Sequence, residues 1–449
     1  MKKEVNLLEG NILKKLFILS APLMATSFVQ MAYNLTDLIW VGKVGTEAVA
    51  ATGTAGFFMW IAMSLVLIPR IGISVLTSQY YGEGNHKKVK DVIKNGFLLT
   101  LIIVVLYFTI IQLFARQFIG FYKLDQAVNE MAIQYLRYIA LGFFMTFFNP
   151  VFSSTYNSMG DSFTPFSINV VGLIVNIILD PLLIFGFGPI KAMGVKGAAI
   201  ATVTAQLIVF ILFVIDNIKR KGMIYRSRQE GSLDREIFTQ VFKIGLPTGM
   251  QSAMHASITM VLSRFMSKYG AKPIAVYSVG SMIESLTWMT TEGFAVGITA
   301  FVGQNFGARK IDRLKEVIRK SMTSVALIGL MSSFILIGFR NSLFYIFLPK
   351  DPEAIKMGSY YLLILGMSQF FMAIEIGAAG IFNGLSNTKT PAMISMGLNI
   401  MRIPFALIFM IWFDFYGVWM AMSFTSILKG IIMAILLRRE NKSIDMDMN

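Results

Sequence analysis

Long apolar runs, separated by short polar segments, dominate the chain. Twelve of them are long enough to cross a bilayer, which takes about twenty helical residues. They cover residues 14–41, 48–80, 92–115, 128–158, 164–187, 193–217, 239–267, 273–305, 318–346, 354–384, 391–413 and 417–438. The pattern predicts an all-α integral membrane protein with twelve transmembrane helices, since a continuous apolar span satisfies its backbone hydrogen bonds internally only as a helix.

The longest polar stretch, residues 216–243, divides the predicted helices into two sets of six, and motifs recur across it. Residues 72–82 match residues 297–307 at an offset of 225, and Thr164-Pro165 match Thr390-Pro391 at 226. A nearly constant offset indicates an internal repeat. We expect two pseudo-symmetric six-helix bundles, residues 1–225 and 226–449. Because each half crosses the membrane an even number of times, both halves should share one orientation.

Composition agrees with a membrane protein. Hydrophobic residues make up 55% of the chain, charged residues 14%, and the mean hydropathy is +0.65. A net charge of +15 would suggest nucleic acid as a partner of a soluble protein, but here the basic residues lie between apolar runs. We count 26 of the 40 Lys and Arg residues on one side and 11 on the other, which predicts cytoplasmic termini. The expected partner is therefore the lipid bilayer, not nucleic acid.

The first half carries polar groups deep within its apolar runs. Asn176 and Asp180 lie four residues apart and so on one helix face, and Tyr33 stands in the same relation to Asp37. Asn157 and Thr202 add an amide and a hydroxyl. Such oxygen ligands suit a small cation or a shared proton, and an ionisable group at this depth usually marks an ion path. Alternatively, Asp180 caps a helix break at Pro181, and Asp37 lies near the membrane surface.

The two halves of the repeat have different residues at these positions. At the offset of 225 Asp37 is matched by Leu262, and the region around Asn176–Pro181 is matched by Met401-Arg402-Ile403-Pro404. A cation site in the first half alone is the simplest consequence.

The second half has acids of its own. Together with an imidazole and an indole they form a candidate substrate cavity for a lipophilic cation, bound by charge and aromatic contact: Glu284, Glu292, Glu375, His255 and Trp288. Alternatively, the acids pair with arginine or lie near a surface, and His255 is a hydrogen-bonded structural imidazole.

Pro69 and Arg70 form a candidate kink and gate, because proline inside a helix removes a hydrogen bond and bends it. Arg70 and Arg402 could each instead extend to a membrane interface. Small-residue patterns at residues 53–56 and 377–380 indicate close helix packing. With no Walker-type loop, no paired histidines and no cysteine, neither an enzyme nor a nucleotide-driven pump is expected.

Taken together, the ordered motifs resemble the multidrug and toxic compound extrusion (MATE) family. They are Pro22 with Asp37, residues 69–82, Asn176-(x)3-Asp180-Pro181, residues 194–202 and residues 303–307. The resemblance implies two bundles forming a V around a central cavity. It implies an antiporter of the bacterial cytoplasmic membrane that exports lipophilic cationic drugs or toxins in exchange for Na⁺ or H⁺.

The resemblance also implies site residues. The positions similar to the family's coupling network are Tyr33, Asp37, Asn157, Asn176, Asp180 and Thr202, with no cofactor or metal beyond the coupling ion and no obligate protein partner. His255 stands where some members have an acid, which argues against an ion site in the second half. A lipid-linked oligosaccharide flippase of related architecture is the alternative, and an intramembrane enzyme the remote one.

Overall fold

The computed structural model describes residues 4–189, 191–349 and 351–447. Over these ranges the chain forms fifteen α-helices and no β-strand. The helices are α1 (Ile12–Val44), α2 (Thr46–Glu83), α3 (His86–Gly120), α4 (Gln126–Leu141), α5 (Phe143–Ser158), α6 (Phe163–Phe185), α7 (Val195–Arg220), α8 (Met223–Glu230), α9 (Arg235–Met266), α10 (Ala271–Gly307), α11 (Ile311–Gly338), α12 (Arg340–Phe347), α13 (Pro352–Gly384), α14 (Lys389–Phe413) and α15 (Tyr416–Asp447).

The predicted all-α membrane class is confirmed. Within the described ranges nine helices are long and apolar enough to cross a bilayer, and α4 with α5 makes a tenth span. The remaining two apolar runs lie in α9 and α10, which have 32 and 37 residues. Each of the twelve runs therefore corresponds to one helix or one helix pair.

Two runs form broken helices, which the apolar pattern does not show. The fourth span bends by 46° between α4 and α5, at Gly142. A Cβ atom at this position would lie 2.8 Å from a methyl carbon of Val203, so the break coincides with a close approach of α7. The ninth run divides at Phe339 into α11 and the short α12.

The described chain divides into two compact units. Unit 1 comprises Ala25–Gly249 with the N-terminal residues up to Val5, and unit 2 comprises Asn6–Met24 with the chain from Met250 onward. Helices α1 and α9 are therefore each shared, one part in each unit. The boundary at residues 225 and 226 concerns the repeat and stays a prediction.

Unit 1 is built on packing among α2, α3, α4 and α5. Its largest core cluster includes Val104, Leu136, Phe143 and Phe147, all fully buried. In addition, the Tyr107 hydroxyl donates a 2.6 Å hydrogen bond to the Phe58 carbonyl, so the phenol is satisfied inside an apolar layer.

Unit 2 is centred on Trp419 of α15. The indole is fully buried, packs edge-on against Tyr361 at 5.0 Å and donates to the Met266 sulfur at 3.2 Å. Edge-to-face pairs of this kind contribute about 1 kcal/mol beyond area burial. The cluster also includes Phe344 and Ala406, so α12 and α14 are held by the same core.

Glycine allows close approach at some of the predicted positions. A Cβ atom at Gly380 would lie 2.8 Å from the Ala295 carbonyl oxygen, which confirms close packing at residues 377–380. Within residues 53–56, Ala55 is fully buried in the unit 1 core, whereas Gly53 and Gly56 have no heavy atom of a described neighbour within 4 Å, so close packing is confirmed at Ala55 and wrong at the two glycines. The tightest approach is at Gly245 of α9, where a Cβ atom would lie 1.7 Å from the Ile68 carbonyl oxygen.

We expect Gly245→Ala to destabilise the protein by roughly 1–3 kcal/mol, since the added methyl group has no room between α9 and α2. Thermal unfolding of the detergent-purified protein would measure it. Gly53→Ala is the matched control: an alanine in open space within a helix should leave the Tm unchanged or raise it. Equal Tm values for wild type and Gly245→Ala would contradict the packing described here.

Candidate functional site

Three helices of unit 1 position the polar groups predicted as a cation site. Helix α1 carries Tyr33 and Asp37, α6 carries Asn176 and Asp180, and α7 carries Thr202. Helix α6 continues through Pro181 to Phe185, so Asp180 does not cap a helix end there. Both Asn176 and Asp180 are fully buried.

Hydrogen bonds connect these groups. The Asn176 amide donates to Asp180 Oδ1 at 3.2 Å, which is the one-turn contact that their spacing predicts. The Thr202 hydroxyl donates to Asp37 Oδ2 at 3.3 Å, and the Tyr33 hydroxyl donates to the Thr202 backbone carbonyl at 3.3 Å. These bonds form two sets, Asn176 with Asp180 and Thr202 with Asp37 and Tyr33, and the proximity of Asp37 to Asp180 joins the sets into one group of five predicted residues.

The two carboxylates meet at the centre of this group. Asp37 and Asp180 lie within hydrogen-bonding reach of each other, and Asp37 also contacts Asn176. Among the described residues, the charged group that acts on Asp180 is Asp37, and no base opposes it. Two like charges in contact need a proton or a cation between them.

Unsatisfied oxygens mark the same place. Asp37 Oδ1, Asp180 Oδ2 and Asn176 Oδ1 are buried and have no hydrogen-bond partner in the described part of the chain. Buried acceptors are normally paired, so such a concentration is unusual. Carboxylate and amide oxygens fit a hard cation such as Na⁺. The described residues hold no cluster of three or more His, Cys, Asp or Glu groups that would suit a transition metal.

Asn157 stands apart from the connected group. It lies buried in α5, and its Oδ1 also lacks a partner among the described residues. The hydrogen bonds that join the other five residues do not include it. Its place in the network stays a prediction.

A small cavity of about 20 Å³ adjoins the group at Tyr33, between α1, α6 and α7. Its lining mixes hydroxyl, amide and aliphatic groups: Thr26, Val29, Gln30, Tyr33, Asn169, Gly172, Gln206 and Val209. It gives the group a neighbouring polar space within unit 1.

Two further neighbours of this group were not predicted from the sequence. Gln206 contacts Tyr33 and accepts a 2.8 Å hydrogen bond from the Asn149 amide. Its spacing of one turn from Thr202 could have identified it. Tyr135 of α4 interacts electrostatically with Asp37 and Asp180. Nothing in its sequence context signals that role.

The acids of the second half take different partners. Glu375 of α13 forms an ion pair with Lys429 at 2.9 Å and accepts from Ser395 at 2.7 Å. Lys429, counted from the sequence among cytoplasmic charges, is in fact buried in α15. Glu284 of α10 accepts from the Tyr361 hydroxyl at 3.0 Å and from the Gln369 amide at 2.9 Å.

Arginine and histidine complete this second group. Arg402 is 5% exposed and donates to Thr425 and Ser426, so it does not extend to a membrane interface. It interacts electrostatically with Glu375 and Glu284, and His255 with Arg402. Trp288 and Glu292 lie on α10, Trp288 being exposed.

Pro69 lies inside α2, which continues through it as one helix. Arg70 forms no ion pair within the described ranges, and its backbone carbonyl accepts a 3.0 Å hydrogen bond from Ser154. The predicted kink and gate stay predictions.

Comparison with known proteins bears on both halves. The MatE family model matches residues 22–182 and again residues 247–408. The matches begin 225 residues apart and end 226 apart, which confirms the internal repeat.

Two similar proteins extend over almost the whole chain. "Probable multidrug resistance protein NorM" of Thermotoga maritima is 26% identical over 423 residues, covering 92% of this chain and 89% of that protein. "FAD transporter" of Shewanella oneidensis is 24% identical over 440 residues, covering 98% and 97%.

A solved structure of MATE in complex with MaL6 superposes with a TM-score of 0.92 at 23% identity, over 99% of this chain and 100% of that one, and so shares the fold. The family model matches once in each half, and the two matches together cover most of the sequence. The chain therefore belongs to the MatE family of multi-pass membrane transporters.

Proposed function

We propose that this transporter exports lipophilic organic cations, drugs or toxins, in exchange for Na⁺ or H⁺ bound between Asp37 and Asp180. The contact between these two carboxylates carries the proposal. The names of relatives such as "Multidrug resistance protein PmpM" of Pseudomonas aeruginosa, 23% identical over 391 residues, support export of drugs.

Electrostatics explains why the pair suits a coupling ion. Two negative charges 4 Å apart repel by about 4 kcal/mol at an effective dielectric constant near 20. A bound Na⁺ or a proton removes this repulsion. The unpartnered oxygens of Asp37, Asn176 and Asp180 supply ligands for it.

Exchange requires that ion and cargo favour different states of the protein. We propose that ion binding draws α1 and α6 together at this site, and that release of the ion separates them. Tyr33 couples such a movement to the adjoining pocket, because it lines the pocket and bonds α7 through the Thr202 carbonyl. The 26-to-11 distribution of basic residues supports cytoplasmic termini in a bacterial plasma membrane.

The flippase alternative has less support. A cavity for phosphate-linked sugars needs a concentration of positive charge, yet Lys429 is paired with Glu375. Moreover, the acids Glu284 and Glu375 balance the basic groups near Arg402.

Asp37→Asn and Asp180→Asn should each reduce export at least tenfold, because losing one charge of the pair removes about half of its Coulomb attraction for a cation. Efflux of an ethidium-type dye from proteoliposomes, with a sodium or a proton gradient imposed separately, would measure the loss and identify the ion. Glu47→Gln, which neutralises an exposed acid of α2, is the control. Wild-type efflux from either aspartate variant would rule out the proposed site.

Thr202→Val should shift the ion concentration for half-maximal export roughly tenfold or more while the maximal rate is kept, since a hydrogen bond to a charged group contributes about 1.5–3 kcal/mol. The shift should be upward for Na⁺, because Asp37 loses a group that positions it, and downward for H⁺, because the charged carboxylate loses a stabilising donor. Initial export rates against Na⁺ concentration or pH would show the shift. Thr204→Val, two residues along α7, should behave as wild type. A proportionate loss of maximal rate with unchanged half-saturation would instead assign Thr202 a structural role.

A further inference from the structure

Exposed basic side chains are concentrated in unit 1 where α7 ends. Helix α7 ends at Arg220, and the short helix α8 begins at Met223. Four basic residues of this stretch are exposed and form what we call the basic cluster: Lys219, Lys221, Arg226 and Arg228. Within the described ranges none of the four forms an ion pair. The cluster therefore presents positive charge that the protein itself does not neutralise.

The acids nearest to the cluster are already paired with other bases. Arg220 forms ion pairs with Asp161 at 2.9 Å and with Asp216 at 3.0 Å. Glu230, at the end of α8, pairs with Lys90 of α3. These pairs use up the local negative charge, so a partner of the cluster has to supply its own.

Helix α8 is held against α3 by one of its sides. Ile224 and Ser227 are both buried, and Ile224 lies in a core cluster that also contains residues of α3. At the end of α8 the Lys94 ammonium donates to the Gly231 carbonyl at 2.7 Å. With this side packed and this end bonded, the basic side chains of α8 stay on its exposed side.

The guanidinium of Arg226 is oriented by its own backbone neighbourhood. Its Nε donates to the Lys221 carbonyl at 3.2 Å. Glu230 acts on it electrostatically without forming an ion pair. The two terminal nitrogens make no hydrogen bond within the described part of the chain, so they can bind two oxygens of one phosphate group.

A row of exposed isoleucines on α7 leads directly to the cluster. Ile211, Ile215 and Ile218 are exposed by 44%, 41% and 54%, and their spacing of four and three residues places them on one helix face. Because α7 is long and apolar enough to span a bilayer, this face contacts acyl chains. The row ends one residue before Lys219. The cluster thus begins at the depth where acyl chains give way to headgroups.

We propose that the basic cluster binds the headgroups of acidic phospholipids, in the leaflet that α7 reaches at its end. A group of about four or more basic residues directly after a membrane span is typical of such binding. A topological signal requires only the charges. This cluster has, in addition, paired acids around it, a docked helix that carries half of it, and an adjoining lipid-facing row. The inference makes no use of Asp37 and Asp180, so it stands or falls independently of the proposed exchange.

Titration of the detergent-purified protein with phosphatidylglycerol, and with phosphatidylcholine of the same acyl chains, tests it by native mass spectrometry. Wild type should bind the acidic lipid at least tenfold more tightly. Replacing all four cluster residues by glutamine should weaken that binding roughly a hundredfold or more, since each base near an acidic surface contributes about fivefold. Arg226→Lys with Arg228→Lys should keep most of it, because the charge remains.

A second measurement locates the bound lipid. Hydrogen exchange of residues 219–230 should be slower in phosphatidylglycerol nanodiscs than in phosphatidylcholine nanodiscs for wild type, and equal in both for the glutamine variant. Dye export in phosphatidylcholine vesicles should be the same for both proteins, because the cluster lies outside the proposed ion site. If the fourfold variant does not fold, Lys219→Gln with Arg228→Gln decides.

The matched control removes the same number of charges from separate exposed positions and should keep the lipid preference: Lys43→Gln, Lys123→Gln, Lys191→Gln and Lys356→Gln. Glycerol phosphate, which has the charged group without acyl chains, should compete poorly. Equal binding of the two lipids by wild type, or an equal loss in the control variant, would overturn the inference. Competition by glycerol phosphate at the affinity of the lipid would make the cluster a site for soluble anions instead.

Discussion

The contact between two carboxylates inside a helix bundle determines which charges and hydrogen-bond donors must surround them. Asp37 and Asp180 can both be charged only with a positive charge between them, because the surrounding helices offer no base among the described residues. Neutral donors hold them in place instead: the Asn176 amide on one and the Thr202 hydroxyl on the other. These donors fix the geometry without cancelling the charge. In the proposed exchange the site would be stable when loaded and unfavourable when emptied, which is the property an exchanger needs.

In unit 2 the buried carboxylates have different partners. There Glu375 has Lys429 as a partner at 2.9 Å, and Glu284 has a phenol and an amide. Buried ion pairs of this kind contribute little net stability, since desolvation offsets most of their attraction. Breaking one by removing a single partner is costly, however. The acids of unit 2 thus have partners within the protein, whereas Asp37 and Asp180 of unit 1 have no basic partner among the described residues.

The sequence predicts the elements well and the site in part. Apolar runs identify the spans, since bilayer thickness fixes their length. Spacing alone predicts the Asn176–Asp180 contact, because residues one turn apart must meet. Tyr135 and Gln206 were not predicted as members of the site, because their proximity to it depends on how α4 and α7 pack. The burial of Lys429 was not predicted, because a basic residue within an apolar run was counted with the basic residues that follow the run, and only the structure shows its partner Glu375. The sharing of α1 and α9 between the two units has no local signal at all.

The two units differ in what their buried charges require. With Arg402 at the position equivalent to Asn176 and Leu262 at that of Asp37, unit 2 lacks the carboxylate pair that unit 1 offers a cation. Under the proposed exchange, a site in unit 1 alone that takes one monovalent ion per cycle would leave no net charge displaced by a singly charged cationic cargo. The membrane potential would then add nothing to the driving force for export, since it contributes about 2.3 kcal/mol per 100 mV only for each net charge moved.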